Sequence, residues 1–160
     1  FPYDGIFRRA VLNFKFHNCG AYAELLSHEM VRSIKDVYRD RKFDLVTCVP
    51  MHKDTLRERG YNQAELLAKE CARLLGIEYA DLLVKTKKNK TQHSIKAAER
   101  AKNVIGVYSP IDKNLIKGKR ILIIDDIITT GSTLGECARI LNKCKCGEIC
   151  CCTLCTSLLI

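Results

Sequence analysis

The stretch Arg120–Leu134, RILIIDDIITTGSTL, constrains this chain more than any other. Ile121 to Ile124 are an unbroken run of branched apolar residues. Such a run suits a strand buried on both faces of a parallel sheet. Asp125 and Asp126 close it. Two more apolar residues follow, then Thr129-Thr130-Gly131-Ser132-Thr133, and a helical pattern begins at Leu134. Hydroxyls and a glycine between strand and helix form a turn whose backbone N–H groups, with the positive helix end, face an anion.

Open α/β sheets bind ligands at the carboxyl ends of their strands. There, adjacent carboxylates accept hydrogen bonds from vicinal hydroxyls or lie beside a divalent cation. A diol close to a phosphate is a ribose 5-phosphate. The residue types therefore assign Asp125 and Asp126 to the 2- and 3-hydroxyls. They assign Thr129, Thr130, Gly131, Ser132 and Thr133 to the 5-phosphate. The plainer alternative is a buried strand, a polar turn and a helix cap. A P-loop NTPase strand also ends an apolar run in Asp, but the Gly-x-x-x-x-Gly-Lys-Ser/Thr run it requires upstream is absent.

The same stretch resembles the 5-phosphoribosyl 1-pyrophosphate (PRPP) motif of type I phosphoribosyltransferases. That motif is four hydrophobics, two acids, two hydrophobics, Thr-Thr-Gly and a hydroxyl pair, and every position matches. The resemblance implies an α/β fold, a Rossmann-like parallel sheet flanked by helices. Its implied ligands are PRPP and Mg²⁺, with the ion bridging ligand oxygens near Asp125 and Asp126 and taking few direct protein ligands.

At 160 residues the chain fits a single domain, 1–160, with a real core. No apolar run is long enough to span a bilayer, and the opening residues lack a signal-peptide pattern. A cytoplasmic setting without a membrane partner is expected. The first residue is Phe1 and not Met, which allows for a segment upstream. The formal charge is +9, and residues 85–102 hold seven Lys or Arg against one Glu. A solvated face is the plain reading of such a run. Phosphates of a small ligand, or nucleic acid, single-stranded DNA included, are the functional ones.

Residues 1–20 interleave aromatic and basic side chains, as a hood over a ligand or a helix covering a sheet edge would. Leu26, Met30, Val31, Ile34, Val37 and Tyr38 recur at helical spacing. Phe43–Val49 reads as a strand and 49–63 as a polar loop. Asn62 caps a helix predicted over Gln63–Leu75. Lys53, Arg57 and Arg59 in that loop are placed to hold a second anion, and the resemblance makes it pyrophosphate. Residues 82–85 read as another strand. The span 86–103 is long and largely aperiodic, as functional loops are. The resemblance implies a flexible loop there, with Lys96, Arg100 and Lys102 as its candidate contacts.

Leu56–Ala68 (LRERGYNQAELLA), Thr91–Ser94 and Ala98–Val104 resemble the ComF (competence protein F) family in the right order. That implies a role in DNA uptake, and a zinc knuckle preceding residue 1. The implied reaction is transfer of phosphoribosyl from PRPP with release of pyrophosphate; the acceptor is not legible. The alternative is a non-catalytic PRPP-binding module acting on nucleic acid. A homodimer is compatible with the chain, which leaves the oligomeric state open.

Ten cysteines invite a disulfide or zinc reading. Cys48, Cys71, Cys137, Cys150, Cys151, Cys152 and Cys155, however, fall in predicted strands or on apolar helix faces, where free cysteine acts as a small hydrophobe. Zinc wants paired cysteines converging from separate turns. Contiguous Cys150–Cys152 on a strand point alternately to opposite faces. A buried terminal strand of free thiols is expected, with a thiol- or zinc-dependent regulator as the weaker alternative.

Overall fold

The computed structural model describes residues 1, 2, 5, 9, 20–87 and 104–157. Four parallel strands form its centre. In chain order the elements are α1 (Gly20–Val37), β1 (Leu45–Cys48), α2 (Lys53–Arg59), α3 (Gln63–Leu75), β2 (Glu78–Tyr79), β3 (Leu83–Lys85), β4 (Tyr108–Pro110), α4 (Lys113–Ile116), β5 (Arg120–Ile128), α5 (Ser132–Lys143) and β6 (Glu148–Thr156). The sheet order is β2-β1-β5-β6, and every neighbouring pair is parallel. The α/β fold expected from the sequence, a parallel sheet flanked by helices, is the one observed.

Strand alternation builds the two core layers. Leu122 and Ile124 turn to one face, with Val46, Cys48 and the buried stripes of α1 and α3. Ile121 and Ile123 turn to the other, with Leu45 and with Leu134, Cys137, Ile140 and Leu141 of α5. All four β5 residues are fully buried. Each such side chain contributes about 1.5–3 kcal/mol of transfer free energy. The first part of the cysteine strand obeys the same alternation, with Cys150 and Cys152 on the α1 and α3 side and Cys151 on the α5 side; Cys155 departs from it and packs on the α1 and α3 side as well. The nine described cysteines are free thiols. Burial pushes Cys48 and Cys152 up to about 12.

Two elements differ from expectation. Residues 49–63, read as a loop, contain the helix α2, with no buried residue. Helix periodicity is legible only where one face is buried, so α2 leaves no stripe. And β3 does not join the parallel sheet. It pairs antiparallel with β4 as a separate two-stranded ribbon, Lys85 opposite Tyr108. Of the N-terminal hood or edge helix, Phe1 and Pro2 lie along β6, with Phe1 N bonded to Leu154 O at 3.0 Å. Most of that expectation falls outside the described residues. No helix among them is long and apolar enough to cross a membrane.

The starts of the two central strands are stapled together. Arg120 donates through its backbone N–H, Nε and Nη2 to both oxygens of Asp44, at 2.8, 3.0 and 2.6 Å. The guanidinium holds the Asp44 carboxyl well below the usual range. A depressed carboxyl stabilises the fold above its unfolded pKa, and that contribution is lost as pH falls towards the folded value. Below about pH 4 the wild-type thermal midpoint should therefore fall more steeply than that of Asp44→Asn. Parallel acid profiles would show that the staple contributes nothing.

The turns entering β5 and β6 touch backbone to backbone. A Cβ on Gly147 would lie 2.7 Å from the Gly118 carbonyl oxygen, while Gly147 N already bonds Lys119 O at 2.8 Å. Gly147→Ala should cost about 1–3 kcal/mol, as overpacking does, read by urea unfolding. An unchanged midpoint would mean that the two turns separate freely.

Candidate functional site

The site exists because β5 outruns its neighbour. β1 pairs with β5 only as far as Cys48 opposite Ile124, and Val49 N makes the last bond, to Ile124 O at 3.0 Å. Asp125 to Ile128 continue past it, still paired with β6. Both carboxylates therefore lie inside the strand, level with a crevice above β1. Asp125 Oδ1 accepts the Asp126 N–H, and Asp126 Oδ1 accepts the Ile127 N–H, each at 2.9 Å. These bonds fix the two carboxyl groups before any ligand arrives.

The turn after β5 has the geometry of an anion cradle. Gly131 takes φ 73°, the left-handed conformation that favours glycine, as the residue before α5. Gly131 itself offers no side-chain cap, and the Thr130 hydroxyl oxygen accepts the Ser132 N–H of α5 at 3.4 Å. Thr130 and Ser132 hydroxyls share a 2.8 Å bond at the turn's exposed surface. Thr129, Thr130, Gly131, Ser132 and Thr133 line one small hollow with Asp125. The structure thus brings the five turn residues together with Asp125, and Asp126 faces the adjoining cleft that Asp125 and Thr133 also reach.

A second wall comes from the segment after β1. His52 Nδ1 accepts the Asp54 N–H at 3.3 Å and caps α2. Asp54 in the first turn and Arg57 and Arg59 in the last suit the helix dipole. Gly60, at φ 87°, ends the helix, and Asn62 starts α3 by accepting the Ala64 N–H at 3.2 Å. The Asn62 amide also donates to Val49 O at 3.1 Å, tying the end of the segment to its beginning. Among the three basic residues, Arg59 lines the cleft; Lys53 and Arg57 sit at exposed positions outside its lining.

The cleft between these walls measures about 300 Å³ and reaches Asp125, Asp126 and Thr133. Its third wall is the β3–β4 ribbon, whose part in the site sequence reasoning missed. Lys85 Nζ lies 5.6 Å from the centroid of the Tyr108 ring. Burial pushes the Lys85 ammonium pKa down, against the pull of nearby Asp125. An arriving phosphate would favour its charged form. Burial raises the Tyr108 phenol, whose oxygen is bonded by Thr133 of the turn. Lys85 was one cation within a basic run; only the register opposite Tyr108 singles it out. His52, also cleft-lining, carried no spacing signal at all. Lys96, Arg100 and Lys102 lie outside the described residues. Among those described, no three His, Cys, Asp or Glu side chains converge as metal ligands would.

Known proteins share both the sequence and the architecture. The phosphoribosyl transferase domain model matches residues 62–158. Competence protein F of Haemophilus influenzae is 33% identical over 144 residues, 87% of this chain and 63% of that protein. The DNA utilization protein YhgH of Escherichia coli is 30% identical over 101 residues, 62% of this chain and 44% of its own length. The chain thus spans less than two thirds of either relative. Adenine phosphoribosyltransferase from Saccharomyces cerevisiae, 16% identical, superposes with a TM-score of 0.56 over 88% of this chain and 72% of that one; that likeness concerns the fold. Since the matched residues make up more than half of its length, the chain belongs to the phosphoribosyl transferase domain family, and its similarity within that family runs to competence protein F.

Proposed function

We propose that this protein binds PRPP with Mg²⁺ and transfers its phosphoribosyl group to an acceptor, releasing pyrophosphate, in the service of DNA uptake or use in the cytoplasm. One observation carries the reading. The acid pair, the hydroxyl turn and Arg59 border adjoining hollows where β5 outruns β1. Asp125 and Asp126 hold the ribose hydroxyls. The turn from Thr129 to Thr133 grips the 5-phosphate with backbone N–H groups and hydroxyls. Arg59 receives the pyrophosphate, and Lys53 and Arg57 add a positive field from the surface of α2. Lys96, Arg100 and Lys102 remain candidates for the remaining phosphate contacts.

The bond from ribose C1 to the pyrophosphate oxygen breaks with its electron pair leaving on pyrophosphate. A lone pair of the acceptor forms the new bond. Positive charge develops on the ribose, and the two carboxylates, already fixed by backbone N–H groups, are placed to offset it. A pair of oxygen donors also suits a hard cation that keeps much of its water. Magnesium, when bound, would supply charge neutralisation at the pyrophosphate.

A second reading, a PRPP-binding module that acts on nucleic acid without catalysis, draws support from the +9 charge and from a relative named for DNA utilization. Calorimetry with PRPP and Mg²⁺ tests the first step common to both. Saturable binding is expected, and a folded protein that takes up no PRPP overturns the proposal. Oligonucleotide binding that falls steeply with salt, without pyrophosphate release, would select the second reading.

A further inference from the structure

We propose that Gln63 is a positioning residue that holds Arg59 aimed into the cleft, so that the anion site is formed before its ligand binds. The inference rests on the reading of Arg59 as a pyrophosphate contact. Two consecutive carboxamides, Asn62 and Gln63, open α3, and both are buried, at 7% and 1% exposure. Asn62 ties the start of the segment through Val49 O. Gln63 ties its end: Arg59 Nη1 donates to Gln63 Oε1 at 3.0 Å. Between them the chain reverses within Gly60 and Tyr61, where Gly60 adopts its left-handed conformation and ends α2. The reversal brings Arg59, at the end of one helix, onto the first residue of the next.

The chemistry explains the choice of residue. A neutral amide oxygen accepts from the guanidinium without cancelling its charge, and a carboxylate there would cancel it. Arginine carries five N–H donors in a planar fork. One spent on Gln63 orients the plane and leaves others for phosphate oxygens. A long side chain otherwise loses its rotamer freedom at the moment of binding. With Gln63 as the acceptor, that ordering is done during folding.

Inorganic pyrophosphate and ribose 5-phosphate serve as separate probes, each with Mg²⁺. Gln63→Leu removes the acceptor and keeps most of the volume. It should weaken pyrophosphate binding roughly three- to tenfold, the cost of ordering one long side chain on binding, and leave ribose 5-phosphate binding unchanged. In an Arg59→Leu background the same substitution should add nothing further, because its effect runs through Arg59. Equal pyrophosphate affinity in wild type and Gln63→Leu overturns the inference, and so does an equal loss for both probes. Nitrogen-15 NMR of the wild-type Arg59 guanidinium keeps the test alive if the leucine variant fails to fold. Hindered rotation of the group is expected, and free rotation overturns the inference. A wild type that binds neither probe brings down the reading of the site itself, whereas one that binds both with Gln63 neutral brings down this inference alone.

Discussion

The Asp125→Asn/Asp126→Asn double variant is expected to fold as the wild type does and to lose PRPP binding in the presence of Mg²⁺. Folding should survive because asparagine keeps the Oδ1 acceptor that each residue offers to the next backbone N–H. Binding should not, because the charged half of two hydrogen-bonding pairs disappears. A hydrogen bond to a charged group is worth roughly 1.5–3 kcal/mol, so two together lower affinity by about a hundredfold or more. Titration calorimetry reads the affinity and circular dichroism the fold. A double variant that binds PRPP as tightly as the wild type would remove the acid pair from the site. The same variant should keep its affinity for inorganic pyrophosphate within a few-fold if Arg59 is the principal anion contact.

The largest effect on stability is expected from Ile123→Ala. Ile123 is fully buried in the central strand, between its partners Thr47 on β1 and Cys151 on β6, and it packs on the side of α5. Truncating such a side chain removes its transfer free energy and leaves a cavity that the flanking layers fill only in part. About 2–5 kcal/mol should be lost, a large share of the 5–15 kcal/mol that typically holds a domain together. Urea unfolding measures it, with Leu115→Ala as the control. Leu115 is half exposed on α4, and its loss should change stability by about 0.5 kcal/mol or less. If the two variants were equally stable, β5 would not be the packed centre of the molecule. Because Asp125 lies two residues beyond Ile123 on the same face of the strand, PRPP affinity should also weaken in Ile123→Ala.

Local pattern made several elements legible. The helix predicted over Gln63–Leu75 appears with those bounds, since its apolar stripe, its Asn62 cap and the glycine after it all act within a few residues. The terminal cysteine strand appears too, because alternation is a local property. The strand expected over Phe43–Val49 is shorter, Leu45–Cys48; beyond it Val49 keeps a single backbone bond to Ile124 O, and Phe43 packs against the core. Helix α2 was hidden for the opposite reason: it buries nothing and so prints no period on the sequence. The antiparallel placement of β3 was hidden because its residues say only that they form a strand, not which strand they meet.

The acid pair, the hydroxyl turn and the strand that carries them are readable from the residues alone. Those features depend on backbone chemistry within fifteen consecutive residues, and no distant contact is needed to specify them. Which cations reach them depends on how distant segments pack. Arg59 enters the cleft and Lys53 and Arg57 stay outside because a short helix and a left-handed glycine turn set their directions. Lys85 and Tyr108 join the site through a strand register that spans twenty-three positions of the chain. Gln63 holds Arg59 through a contact across a reversal. Periodicity records whether a side chain is buried, not what it is buried against, so the far walls of the cleft become readable only once the chain has folded.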